Sequence, residues 1–351
     1  MKRSFNSVSG IVSAVKRYFG LSLALYAFFV GVAGVVPAAA AEQVVVYSSR
    51  KDHLIRPLFE QFEQQTGIEV KYITDKAAPL ISRIAVEGKN TAADMLITVD
   101  AGNLWQAAEQ GLLVKVDSEI LNKQIPAHLR DPEGRWYGLS VRARTIVYAT
   151  DRVKPSELST YEALGESQWK DRLCLRTSKK VYNQSLVATM IASLGAEKTE
   201  SYVKSWVANL ATPVFSNDTK LMQSISAGQC DVGIVNSYYF GRLQDKDADI
   251  PLALYWPNQN DRGVHINISG AGITRHSKNP ENALRLLEWL ASKKAQGEIA
   301  ALNKEFPANP NVPPAPQVVS WGTFKADTIN VEVAGKLQVD AIKLMDRAGY
   351  R

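Results

Sequence analysis

Apolar and polar positions along this chain follow two periods, and the switches between them mark its elements. The apolar run VVVYSS at 44–49 leads to Leu54, Leu58, Phe59 and Phe62, one helical turn apart, then Gly67, then the strand-like IEVKYIT at 68–74. Helical spacing closed by a glycine predicts a helix from about His53 to Gly67 between two strands. PLISRIAVE at 79–87 reads as a helix, DMLITV at 94–99 as a strand and AGNLWQAAEQG at 101–111 as a helix. This β-α-β-α-β-α order predicts an α/β lobe, a mainly parallel sheet flanked by helices.

The order repeats after WYGLSVRARTIVYAT at 136–150, a long β-rich segment suited to crossing between lobes. A strand is expected at RLCLRT (172–177), helices at NQSLVATMIASLG (183–195) and KTESYVKSWVANL (198–210), and a short strand at PVFSN (213–217). A helix at TKLMQSISAGQ (219–229) and a strand at CDVGIVNS (230–237) follow. HINISGAGIT at 265–274 reads as a returning strand, residues 280–302 as one helix, and 307–316 as extended and proline-rich. The last two segments, starting at Thr323 and Asn330, read as helical. Two sheets joined by two β crossings predict two lobes, 42–141 plus 264–312 and 142–263 plus 313–351, with a hinge and a cleft between them.

The first 41 residues belong to neither lobe. Lys2, Arg3, Lys16 and Arg17 precede an apolar stretch from Leu21 to Val36 and then an alanine run. That order predicts an export signal cleaved after Ala39, Ala40 or Ala41, with an uncleaved membrane anchor as the alternative. Without these four basic residues the formal charge falls from +6 to about +2, which gives no reason to expect nucleic acid as a partner. The two cysteines, Cys174 and Cys230, lie in strand-like runs of an exported chain, so a disulfide is expected; two buried thiols are the alternative.

Candidate chemistry centres on Tyr238 and Tyr239. Adjacent residues in mid-strand point to opposite faces, whereas at the start of a helix they lie about 100° apart and can converge. DVGIVNS followed by YYFGRLQ is such a junction, and Tyr182 stands at a comparable place between RLCLRT and the helix expected near Asn183. Read singly, one of the pair packs in the core and the other is a surface ring. Three phenols at one rim instead form a hard, anionic oxygen set that suits a trivalent cation, because a phenol needs a strong cation to ionise at neutral pH. Arg50, at the end of the first strand, and Arg142 are candidates to hold an anion; surface ion pairing is the alternative, and the favoured reading for Arg144. Asp100 reads as a helix cap outside the site. No P-loop, HExxH or GxSxG occurs, and no nucleophile stands with a base, so an enzyme is not expected.

YSSR, TVDAGNLW, GLSVRARTIVY, VYNQSLVA and DVGIVNSYYFGRL, in this order, resemble the periplasmic ferric-ion-binding proteins of bacterial ABC-type iron importers. The resemblance implies a two-lobed type II periplasmic-binding-protein fold. It also implies Fe(III) as cargo, Tyr182, Tyr238 and Tyr239 as ligands, a synergistic anion such as carbonate, and a monomer delivering to an inner-membrane ABC permease from the periplasm. The first lobe departs from the family pattern, since Lys51 and Asp52 follow Arg50 and His53 comes one place later. Asp52 and His53 are therefore weaker ligand candidates, their alternatives being a helix cap and a solvent-facing residue. The rival is the same fold binding an organic or oxyanionic solute on which the tyrosines stack.

Overall fold

Nine strands build the sheet in the computed structural model, which describes residues 42–351; the leader and its cleavage point lie outside the described residues. They are β1 (Gln43–Ser48), β2 (Glu69–Thr74), β3 (Met95–Val99), β4 (Tyr137–Ala149), β5 (Leu173–Cys174), β6 (Val232–Asn236), β7 (Leu252–Tyr255), β8 (Ile266–Ile273) and β9 (Phe306–Pro307). Their order is β2-β1-β3-β8-β4-β6-β5, and β7 and β9 also pair with β4. The first helices are α1 (Asp52–Thr66), α2 (Ala77–Glu87), α3 (Ala101–Glu109), α4 (Glu119–Gln124), α5 (Val181–Leu194), α6 (Ala196–Ala208) and α7 (Asp218–Ser226). They are followed by α8 (Ser237–Gln244), α9 (Pro280–Ala291), α10 (Lys293–Asn303), α11 (Pro316–Val319), α12 (Val333–Lys336) and α13 (Gln338–Arg347).

The crossing expected at 136–150 is β4, buried at every position. Residues 137–143 pair antiparallel with β8, and Arg144–Tyr148 pair antiparallel with β6, so the strand changes partner between Ala143 and Arg144. On either side lie separate apolar clusters. One joins β1 to β3 and the start of β4 with β8, α9 and Ile299 of α10; the other joins the end of β4 with β6, α5, α6 and α13. A further cluster under α7 and α8 includes Cys174 and Cys230.

The sheet is more mixed than the β-α-β order alone predicts. β1, β2 and β3 are parallel, as are β5 and β6, but β8 runs antiparallel to β3 and to β4. A strand returning through a hinge lies beside the outgoing one in the opposite direction.

Helix boundaries follow capping chemistry. Gly67, with φ 73°, closes α1 in the left-handed conformation that glycine adopts without strain. The helix expected over 280–302 is two helices. Ser292 is extended (ψ 156°) and its side chain accepts from Ala295 N–H, capping α10 afresh, while Gln296 donates to Leu139 O and Leu290 O. PVFSN is not a strand and contributes only a bridge from Phe215 to Arg176. The segment from Thr323 is not helical; Ala326 bridges to Val264, and the chain then runs to Asn330, whose amide donates to Ala127 O and Arg130 O. α12 packs on both α3 and α5, and Gly335 makes this possible, since a Cβ there would come within 2.6 Å of Trp105.

Cys174 and Cys230 form a disulfide with 5.9 Å between Cα atoms, joining β5 to the loop before β6 across 56 residues of sequence. Closing a loop of that length stabilises by about 4 kcal/mol in the chain-entropy view. Denaturant unfolding of Cys174→Ser/Cys230→Ser should show a loss of this order; a loss under about 1 kcal/mol would mean the unfolded chain is not constrained there.

Candidate functional site

Tyr238 and Tyr239 are the second and third residues of α8, which starts directly where β6 ends. Asn236 at the junction is extended, and its N–H donates to Asp218 Oδ2 at 3.0 Å, which fixes the point where strand becomes helix. The two rings converge, with centroids 4.3 Å apart and planes 32° apart. Tyr182 is the second residue of α5, so the helix begins before it, at Val181 and not near Asn183 as its apolar pattern suggests. Its hydroxyl accepts from the Tyr238 hydroxyl at 3.4 Å.

All three phenols line one cavity of about 170 Å³. The rest of its wall is Ser49, Arg50, Lys51, Leu54, Val99 and Glu305 from the first-lobe side, Arg142 from the crossing strand, and Arg242 from α8. Among the described residues no three His, Cys, Asp or Glu side chains gather to hold a metal, so the phenols are the candidate donors. Burial pushes the Tyr238 phenol well above its ordinary value, and the neighbouring Tyr182 and Tyr239 push it further. Burial also raises Tyr182, against the opposing pull of Arg142. In the free protein these groups therefore stay protonated at neutral pH.

Cations surround the rings. Arg242 lies 4.9 Å from the Tyr238 centroid, and Arg142 and Arg176 each lie 5.3 Å from that of Tyr182. Arg142 is buried, donates to Ser269 Oγ (3.0 Å) and Ile268 O (2.7 Å), and has no partner for its Nε among the described residues. Arg50 reaches the cavity wall but is held by Glu305 at 3.2 Å and by Ser269. Arg144, expected on the surface, is 2% exposed: it donates to Asn183, Asn236 and Asp218, because β4 carries it into the second core exactly one residue past the change of partner, beside a carboxylate shared with Arg176.

Asp52 and His53 do not line the cavity. Asp52 opens α1 and accepts from Tyr72 Oη at 2.8 Å while pairing with Arg56, and His53 is exposed. Asp100 caps α3 at φ 90° and accepts from Gly102 N–H, Asn267 and Ser185; burial raises its carboxyl to about 6, opposed by Arg142. Lys51, Arg176, Arg242 and Glu305 were not singled out in the sequence. Arg242 had a signal, since it follows Tyr238 and Tyr239 by four and three residues and so shares their helix face. Glu305 had none, because its partner Arg50 is 255 residues away.

Residues 57–326 match the model of the bacterial extracellular solute-binding proteins. The chain belongs to that family. Iron uptake protein A1 of Synechocystis sp. is 40% identical to this binding protein over 316 residues, which span 88% of each chain. A Trichodesmium protein (IdiA, FutA), solved in complex with iron and citrate ligands, superposes with a TM-score of 0.85 at 43% identity, covering 88% of this chain and 100% of that one. Ferric iron-binding protein A of Mannheimia haemolytica, solved in an open conformation, gives 0.83 at 39% identity over 88% and 99%. This binding protein thus has the two-lobed α/β architecture of the periplasmic binding proteins.

Proposed function

We propose that this protein captures Fe(III) in the cleft through the phenolates of Tyr182, Tyr238 and Tyr239 and hands it to an inner-membrane ABC permease, acting as an exported monomer in the periplasm and not as an enzyme. The lobes are 42–141 plus 264–312 and 142–263 plus 313–351, and export removes the leader after Ala39–Ala41. The observation that carries the reading is the convergence of three phenols from two helices on one cavity. Phenolate oxygen is a hard ligand, and three of them neutralise a ferric ion. The iron uptake protein of Synechocystis and the iron- and citrate-bound Trichodesmium structure support it. Arg142, with its free Nε, and Arg50 lie where a synergistic anion such as carbonate would sit.

Ferric loading of the purified protein should produce a visible phenolate-to-iron charge-transfer band. A colourless protein that takes up no ferric iron but binds an organic oxyanion would establish the rival, in which the tyrosines stack on the solute.

The raised phenols of Tyr182 and Tyr238 set the direction of the pH dependence. Iron must displace their protons, so binding releases protons and weakens on acidification, by roughly 100-fold per pH unit as both ionise on binding. Competition against a chelator between pH 8 and pH 6, corrected for the chelator's own protonation, measures this; an affinity independent of pH would exclude phenol ligation.

A further inference from the structure

Helix α5 carries Tyr182 at the head of a polar stripe. Ser185 and Thr189 follow it by three and seven residues, which places all three within an arc of about 60° on one face of the helix. Both hydroxyl residues are buried, and each meets a titratable side chain from the other lobe. Ser185 Oγ donates to Asp100 Oδ2 at 2.9 Å, and Thr189 Oγ1 lies 3.0 Å from His265 Nδ1. Within its own lobe the start of α5 is held by Asn183, whose amide donates to Arg176 O and Tyr350 Oη at 2.8 Å each. The stripe ties the same helix across the hinge.

Both ties are anchored on β8, the returning strand. Asp100 donates its N–H to Ile268 O at 2.8 Å and accepts from the Asn267 amide at 2.9 Å. His265 directly precedes the strand; its N–H donates to Tyr161 Oη at 3.1 Å and its carbonyl accepts from Arg144 N–H at 3.0 Å. Asp100 is fully buried at φ 90°, a strained conformation for any residue but glycine, and burial raises its carboxyl to about 6. Burial and the nearby Arg144 push the His265 imidazole down to about 3, so the ring is neutral. Strain of this kind persists where the surroundings over-determine it, and it gathers at functional sites.

We propose that β8 aims the Tyr182 phenol: Asp100 and His265, holding Ser185 and Thr189, fix the rotation of α5 about its axis and carry the position of the first lobe to a ligand of the second. The inference rests on Tyr182 being a ferric ligand. A metal constellation tolerates only about 0.5 Å or 10–20° of error, and a turn of α5 swings the phenol directly. Asp100 and His265 do not line the cavity, so they are positioning residues that act through the helix.

A double-mutant cycle with Tyr182 separates positioning from support of the fold. Ser185→Ala and Thr189→Val remove the hydroxyls, and each should weaken ferric affinity by about 10-fold, the low end of the usual cost of losing outer support at a metal site, and shift the charge-transfer band. Thr189→Ser keeps the hydroxyl and should match wild type in affinity and band. In protein already carrying Tyr182→Phe, neither Ser185→Ala nor Thr189→Val should weaken binding further, because the group they aim is gone. Equal losses in both backgrounds, or no loss in either, would overturn the proposal and leave Tyr182 a ligand. A lower melting temperature of the iron-free variants with unchanged affinity and band would overturn it too, leaving the stripe a role in folding alone. Tyr182→Phe binding iron as tightly as wild type would overturn the ligand reading and this proposal with it.

Discussion

Tyr238→Phe should weaken ferric binding by more than the roughly 10–100-fold that losing a metal ligand's hydrogen-bond partner typically costs, because it deletes an anionic ligand outright. The ring remains, so its packing on Tyr239 and its contact with Arg242 remain. The hydroxyl that is lost donates to Tyr182 at 3.4 Å, so little folding stability goes with it. The iron-free variant should therefore unfold at the wild-type temperature, while the loaded form shows a weaker charge-transfer band and yields its iron to a competing chelator. Tyr239→Phe should behave in the same way. Retention of full affinity and colour by either variant would remove that residue from the ligand set.

Asp218→Ala should cost about 3–5 kcal/mol of folding stability, the usual consequence of removing one partner from a buried ion pair. Asp218 is fully buried, and its two oxygens face Arg144 and Arg176, each at 3.3 Å and each almost fully buried. Removing it leaves two guanidinium groups in the second core without a counter-charge. The effect should reach the site as well, since Asp218 accepts from the N–H of Asn236, two residues before Tyr238, and Arg176 lies over the Tyr182 and Tyr239 rings. Denaturant unfolding and ferric affinity should both fall; a stability within about 1 kcal/mol of wild type would show that the two arginines find other partners.

Much of the second-lobe half of the site was legible because its signals are local. A strand running into a helix at NSYYF allows neighbouring phenols to converge, since successive helical positions lie about 100° apart, whereas mid-strand neighbours point to opposite faces. Tyr182 was placed at the right rim but outside its helix, since α5 begins at Val181 without a side-chain cap to announce it. The first-lobe half was not legible. Lys51, Asp52 and His53 are consecutive, and only the phase of α1 decides that Lys51 meets the cleft while Asp52 turns to Tyr72 and His53 to solvent. Arg50 lost its expected freedom to Glu305, and Arg144 its expected exposure to Asp218, both partners distant in sequence.

By itself the sequence determined most of the α/β elements, the crossing strand and the strand-to-helix junction that carries Tyr238 and Tyr239, because each rests on periodicity or on spacing within a few residues. Tertiary structure decided the direction of β8, the break at Ser292 and the charge of the cleft wall. Those depend on which distant groups meet once the chain has crossed the hinge twice, and a buried charge takes its role from the partner it finds there.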